Sequence, residues 1–207
     1  ALGLSSDEDI LRTFYKTSTI QVDGKKNLHW QLDETLVGNR FANEIADPAK
    51  KKSTLVAAAR KLSHSAFAQL KKANVEQIDA GIEDLKAAYF VSEMVNRETG
   101  EVLAEANTEV TEAKVNELVE AGVEEFSVFF PERDDIGVVL SETFKRDTLK
   151  TTEEALIEIY RKQRPGDPPT LETATALFQG MFFDPRKYDF SRVGRLKFNI
   201  KLGLASS

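Results

Sequence analysis

The chain has 207 residues, 41% of them apolar and 30% charged, with a net charge of −6 and no cysteine. These figures fit one or two globular domains. They exclude disulfides, thiolate zinc sites and cysteine nucleophiles, and they suit a reducing, cytoplasmic setting.

In chain order, Ser5 and Ser6 with Asp7 and Glu8, followed by Ile10, Leu11 and Phe14, predict a short capped helix. Residues 1–10 are acidic and helix-like, so no secretory leader is expected there. No apolar run approaches the roughly 18 to 20 residues of a membrane-spanning helix. Thr17–Val22 and residues 28–32 read as strands about the turn pair Asp23 and Gly24. Asp47 and Pro48 open a lysine-rich turn through Lys50, Lys51 and Lys52.

An internal repeat follows at an offset of 48. "LVAAARKLSHSAFAQLKKANVEQI" (55–78) aligns with "LAEANTEVTEAKVNELVEAGVEEF" (103–126). Leu62 matches Val110, Phe67 matches Val115, Leu70 matches Leu118 and Ile78 matches Phe126. Each copy reads as a short strand, an N-cap (Ser63 or Thr111), an amphipathic helix, a left-handed cap (Asn74 or Gly122) and a second strand. Residues 96–101 form a turn before the second copy, and 47–53 hold the matching place before the first. Two copies are too few for a solenoid. They predict a compact pseudo-symmetric α+β unit over 16–136.

Residues 137–207 differ in character. They carry 12 Lys or Arg against 9 Asp or Glu, whereas 16–136 carry 15 against 22. Residues 141–147 read as polar and extended. Residues 152–161 predict a helix with Leu156, Ile159 and Tyr160 on one side, ending before Pro165. Thr170 caps a further helix, 171–183, with Ala174, Leu177, Phe178 and Phe182 as its buried stripe. Asp184 and Pro185 break it. Gly194 marks a turn or a close approach in the final segment.

Catalytic signals are missing. His29 in a strand and His64 at a helix start have no metal-ligand spacing. There is no glycine-rich phosphate loop and no nucleophile elbow. Acid pairs such as Glu153 and Glu154 suit a helix N-terminus. The chain by itself is not read as an enzyme. The informative residues are basic and aromatic: Arg164 on a proline-stiffened loop, then Arg186, Lys187 and Tyr188 after the Asp184 break, with Arg195 beyond. Guanidinium groups suit phosphate contact, and a tyrosine beside a basic pair suits unstacked bases. The competing reading makes Arg164 a helix cap, Phe182 and Phe183 core, and Tyr188 a packing residue.

"EIYRKQRPGDPPT" (158–170), "LFQGMFFDPRKYDFSRVGRLKFN" (177–199) and the opening "ALGLSSDEDILRTFY" resemble the lobe domain of the β subunit of bacterial DNA-directed RNA polymerase. The resemblance covers essentially the whole chain. It implies a discontinuous α+β host domain, 1–15 and 137–207, interrupted by a lineage-specific insertion at 16–136 built from the duplicated strand–helix–strand module. It implies one wall of the downstream DNA cleft, opposite the clamp of β′. Arg164, Pro165, Gly166, Asp167, Pro168 and Pro169 would form the family's gate loop. Arg164, Arg186, Lys187, Tyr188 and Arg195 become candidate DNA contacts. At 187 some relatives carry arginine, so lysine keeps the charge and loses the planar fork. The implied partners are promoter and downstream DNA, the β′, α and σ subunits, and regulators at the insertion, with no membrane. No catalytic residue, metal or cofactor is expected in this segment, since the Mg2+ of the polymerase is held by another subunit. Neither end carries a terminus signal, so the chain is expected to be cut from a longer one, leaving apolar surface in 1–15 or 137–207 exposed. The alternative is an independent protein-interaction module.

Overall fold

Alternation builds the first strands. In Thr17–Val22 (β1) Ser18 and Ile20 are buried between half-buried neighbours, as a pleat with one covered face requires. Leu28–Gln31 (β2) buries Trp30. The computed structural model describes residues 1–4, 6–50 and 53–204, so Ser5, Lys51 and Lys52 of the expected cap and turn lie outside the described residues. Two compact units divide the chain: Ser6–Asp147, and Ala1–Ser5 with Thr148–Ser207. The fold class is α+β.

The first unit opens with Asp7–Phe14 (α1), capped by Ser6, whose hydroxyl accepts from the Asp9 N–H. Its main sheet joins β1 and β2 to Gln77–Ala80 (β5), Tyr89–Phe90 (β6) and Glu125–Phe129 (β9) in the order β5-β2-β1-β9-β6. Every pairing is antiparallel. Register sets Ile78, Trp30, Ile20 and Phe126 side by side across four strands. All four are buried in one apolar cluster, so a one-residue slip would turn this row to water.

Ile45–Ala46 (β3) with Thr54–Val56 (β4), and Met94–Val95 (β7) with Val102–Ala104 (β8), form two small hairpins. Each leads to a nine-residue helix, His64–Lys72 (α2) or Glu112–Glu120 (α3). Ser63 and Thr111 cap them. Asn74 and Gly122 follow with φ of 55° and 74°, the left-handed C-terminal signal. The two segments thus follow one sequence of elements at the 48-residue offset. Both helices bury their apolar faces in the same core, Ala66 and Leu70 from α2, Val115 and Leu118 from α3.

A second cluster holds Leu11 and Tyr15 from the α1 region, Val91, and Phe129 of β9. Tyr15 stacks on Phe129 with ring centroids 4.6 Å apart. Leu140 and Phe144 also pack here, and they belong to a helix, Val139–Arg146 (α4). This corrects the expectation of an extended 141–147. The helix has no side-chain N-cap to announce it. It is held by tertiary bonds instead: the Ser141 N–H donates to Tyr15 Oη at 3.1 Å, Tyr15 Oη–H donates to Gly137 O at 2.8 Å, and Asn107 Nδ2 donates to Ser141 O at 2.8 Å. The junctions expected at 15/16 and 136/137 therefore lie inside this packed unit.

The second unit is helical: Thr152–Gln163 (α5), Leu171–Phe182 (α6) and Arg192–Lys201 (α7). Capping boxes at Thr151 with Glu154 and at Thr170 with Thr173 start the first two. Among the described residues Tyr160, Ala174 and Phe178 are its buried side chains, and α7 buries none. Phe182, expected in the buried stripe, is 55% exposed. It sits on the last turn of α6, where it meets the rings of Phe178 and Phe183. Gly194 lies within α7 rather than in a turn. The close approach is real, since a Cβ there would come within 3.2 Å of the Phe190 ring.

Candidate nucleic-acid interface

Residues 164–170 link α5 to α6. Arg164 ends α5, its N–H bonded to Tyr160 O at 2.8 Å, and Asp167 N–H closes a turn back to Arg164 O at 3.3 Å. Gly166 adopts φ of +97°, a conformation that glycine reaches without strain. Pro165, Pro168 and Pro169 fix φ and offer no N–H. The run then meets Thr170, the α6 N-cap. Arg164, Pro165, Gly166, Asp167 and Pro168 are exposed. Arg164 forms no ion pair among the described residues. The loop is preorganised by its own chemistry.

A second turn follows α6. The Asp184 backbone carbonyl accepts from Lys187 N–H at 3.0 Å and Tyr188 N–H at 3.2 Å. Its carboxylate accepts from the Arg186 backbone N–H at 3.0 Å and from Arg186 Nε at 3.1 Å. The Arg186 side chain, then its backbone N–H and the charge of Lys187, hold the Asp184 carboxyl below the usual carboxylate range.

These turns bring three of the sequence-predicted residues together. Arg164, Lys187 and Tyr188 line one cavity of about 530 Å³ whose remaining wall is Leu177, Gly180 and Met181 of α6. Lys187 lies along the helix surface at Gly180, where a Cβ would stand 2.8 Å from both its Cδ and its Nζ. Gly180 gives the ammonium stem a bed. Arg186 lines an adjoining cavity of about 430 Å³ that shares Gly180 and Lys187. Its guanidinium is engaged with Asp184 yet largely exposed. Arg195 lines neither cavity. It pairs with Asp189 at 3.4 Å and lies 5.0 Å from the centre of the Phe190 ring.

Sequence reading missed Leu177, Gly180 and Met181 as site residues. An isolated glycine inside a helical pattern was the available signal, since it marks a close approach. Of the histidines, His29 sits between Asp23 at 3.3 Å and Asp79 at 3.2 Å, joining β2 to β5. His64 is exposed at the start of α2. Neither approaches the basic cavity's lining residues in sequence.

The site can do two things chemically. Two cations at one mouth can neutralise phosphates. Tyr188, 64% exposed, can stack on an unpaired base over an apolar floor.

Residues 132–207 match the family model described as RNA polymerase Rpb2, domain 2. The chain is 53% identical over 202 residues to the DNA-directed RNA polymerase subunit beta of Solibacter usitatus, covering 98% of this chain and 14% of that relative. It is 53% identical over 208 residues to the same subunit of Koribacter versatilis, with the same two coverages. The subunit of Anaeromyxobacter dehalogenans is 43% identical over 200 residues. The chain therefore spans 14% of the length of these curated relatives. It belongs to the β-subunit family of bacterial DNA-directed RNA polymerase, as a segment in which residues 132–207 correspond to Rpb2 domain 2.

Proposed function

We propose that this segment is the lobe of a polymerase β subunit, that it walls the downstream DNA cleft, and that residues 164–170 act as its gate loop. The observation that carries this is the shared cavity of Arg164, Lys187 and Tyr188. Arg164 and Lys187 contact phosphates of the DNA strand passing the loop, and Tyr188 stacks on a base that melting has exposed. Lysine at 187 acts as a point charge, so its contribution is phosphate contact rather than bidentate reading. Arg186 and Arg195, each tied to a neighbouring carboxylate, supply the surrounding positive potential. A gate must keep its shape without a large ordering cost, and three prolines restrict the loop before DNA arrives.

Nucleotidyl transfer belongs to the whole cytoplasmic polymerase, with its β′, α and σ partners and with Mg2+ on another subunit. Residues 16–136 are an insertion formed by duplication and serve as a docking module for regulators. The matching elements at the 48-residue offset support this.

The test is Arg164→Ala in assembled polymerase. Open-complex lifetime should shorten, and the slope of log lifetime against log salt should fall by about 1, the share of one phosphate contact. An unchanged lifetime and slope would remove Arg164 from the gate.

A further inference from the structure

The two copies related by the 48-residue offset share elements and core, yet the charges they carry are opposite in sign. Residues 49–75 contain seven Lys or Arg and no Asp or Glu. The stretch 48 residues on, 97–123, contains seven Glu against Arg97 and Lys114. Position by position, Lys61 stands where Glu109 does, His64 where Glu112 does, and Lys72 where Glu120 does. All six are exposed. The fold thus accepts either sign at these places, and the sign is free to answer to something outside the fold.

Arg60, Lys61, Lys71 and Lys72 form no ion pair among the described residues. The outward face of α2 is His64, Ser65, Ala68, Gln69, Lys71 and Lys72, without a carboxylate. Neighbouring like charges repel, and a polyanion laid against them relieves that repulsion.

The choice of polyanion follows from what is absent. No large apolar side chain is exposed between Tyr15 and Gly81 among the described residues, whereas Val95 and Val102 of the β7–β8 hairpin are exposed at 40% and 46%. Protein interfaces draw their energy from apolar and aromatic anchors. Contacts to a phosphate backbone need none.

We infer that the exposed cations of α2 and of the turn before it, Arg60, Lys61, Lys71 and Lys72, are a second, sequence-independent contact for duplex DNA, separate from the Arg164 cavity. The inference rests on the reading of this chain as part of a polymerase acting on DNA.

The experiment exchanges three residues for those of the acidic segment, Arg60→Thr, Lys61→Glu and Lys72→Glu, in assembled polymerase. Thr108, Glu109 and Glu120 hold the counterpart positions of the second copy, and all three replaced residues are exposed. Binding to a promoter fragment with long duplex flanks should weaken about tenfold or more at low salt, and the salt slope should fall by about 3 for three lost phosphate contacts. A photo-crosslinker at Ala68, in the middle of the face, should capture DNA. Unchanged affinity and slope would overturn the inference. So would crosslinks to protein alone, which would make the face a seat for an acidic protein. Arg164→Ala on the same fragment keeps the two readings apart. If it has no effect while the triple exchange weakens binding, the gate reading fails and the α2 face stands.

Discussion

The two compact units hold themselves together by different means. Residues 6–147 bury a continuous core in which Trp30, Leu36, Leu85, Phe90 and Leu118 are nearly or fully inaccessible. Residues 148–204 bury few large side chains, and α7 with its C-cap Leu202 leaves Val193, Leu196, Ile200 and Leu202 at 49% exposure or more. At about 25 cal/mol per Å² of apolar surface removed from water, the first unit has ample drive to fold. The second depends more on local chemistry: capping boxes, prolines and the Asp184 turn. The basic cavity is in the second, so the candidate site rests on preorganised turns more than on a deep core.

The sharpest way to break this contrast is to truncate one side chain on each side. Leu118→Ala in the 207-residue chain should cost about 2–5 kcal/mol, since it opens a cavity in a closed core. Ile200→Ala, at 69% exposure, should stay within about 0.5 kcal/mol. Denaturant melts followed by the single tryptophan, Trp30, and by circular dichroism would compare them. Equal costs would end the distinction.

Tyr15→Phe probes how α4 is fastened to the first unit. It strips the partner from the buried Ser141 N–H and from the part-buried Gly137 carbonyl, and should cost about 1–3 kcal/mol. The same hydroxyl gives a pH signature. Burial, the largest influence, raises its pKa, and the charge of Asp134 adds to this against the Ser141 and Leu140 backbone bonds. A raised folded value means that the unfolded chain loses this proton first. The stabilisation is full below about pH 10, the ordinary tyrosine value, and is lost as pH rises through the folded value. An alkaline melt in which Tyr15→Phe loses less stability than the parent would bear this out.

The smallest effect belongs to the second unit. Thr170→Ala removes the N-cap of α6 and leaves the core alone, so it should cost about 1 kcal/mol, read as helical signal lost without a shift in the Trp30 transition. A coincident loss of Trp30 signal would show that the two units do not melt separately.

Much of the architecture was legible because it is local. Ser63, Thr111 and Thr170 announce helices through hydrogen bonds to their own next turn, and Pro165 follows directly on Arg164, the C-cap of α5. The Arg164 loop was legible for the same reason. What was hidden is what sequence neighbours do not decide. The pairing of β1 with β9 joins residues more than a hundred positions apart. The helix α4 has Leu140 and Phe144 at helical spacing but no cap, and its anchors are Tyr15 and Asn107, far away in the chain. Within the site, the basic members could be named in advance, whereas the bed that Gly180 provides for Lys187 depends on how one turn folds back over α6.

The most direct test of the central claim is a double-mutant cycle between Arg164→Ala and Lys187→Ala in assembled polymerase, read as open-complex lifetime. If the two cations serve one cavity and one strand, each single change shortens the lifetime and the double change shortens it by less than the product of the two, a coupling of about 0.5 kcal/mol or more. Strictly multiplicative losses, or no loss from Lys187→Ala, would mean that the shared cavity is not a single DNA contact.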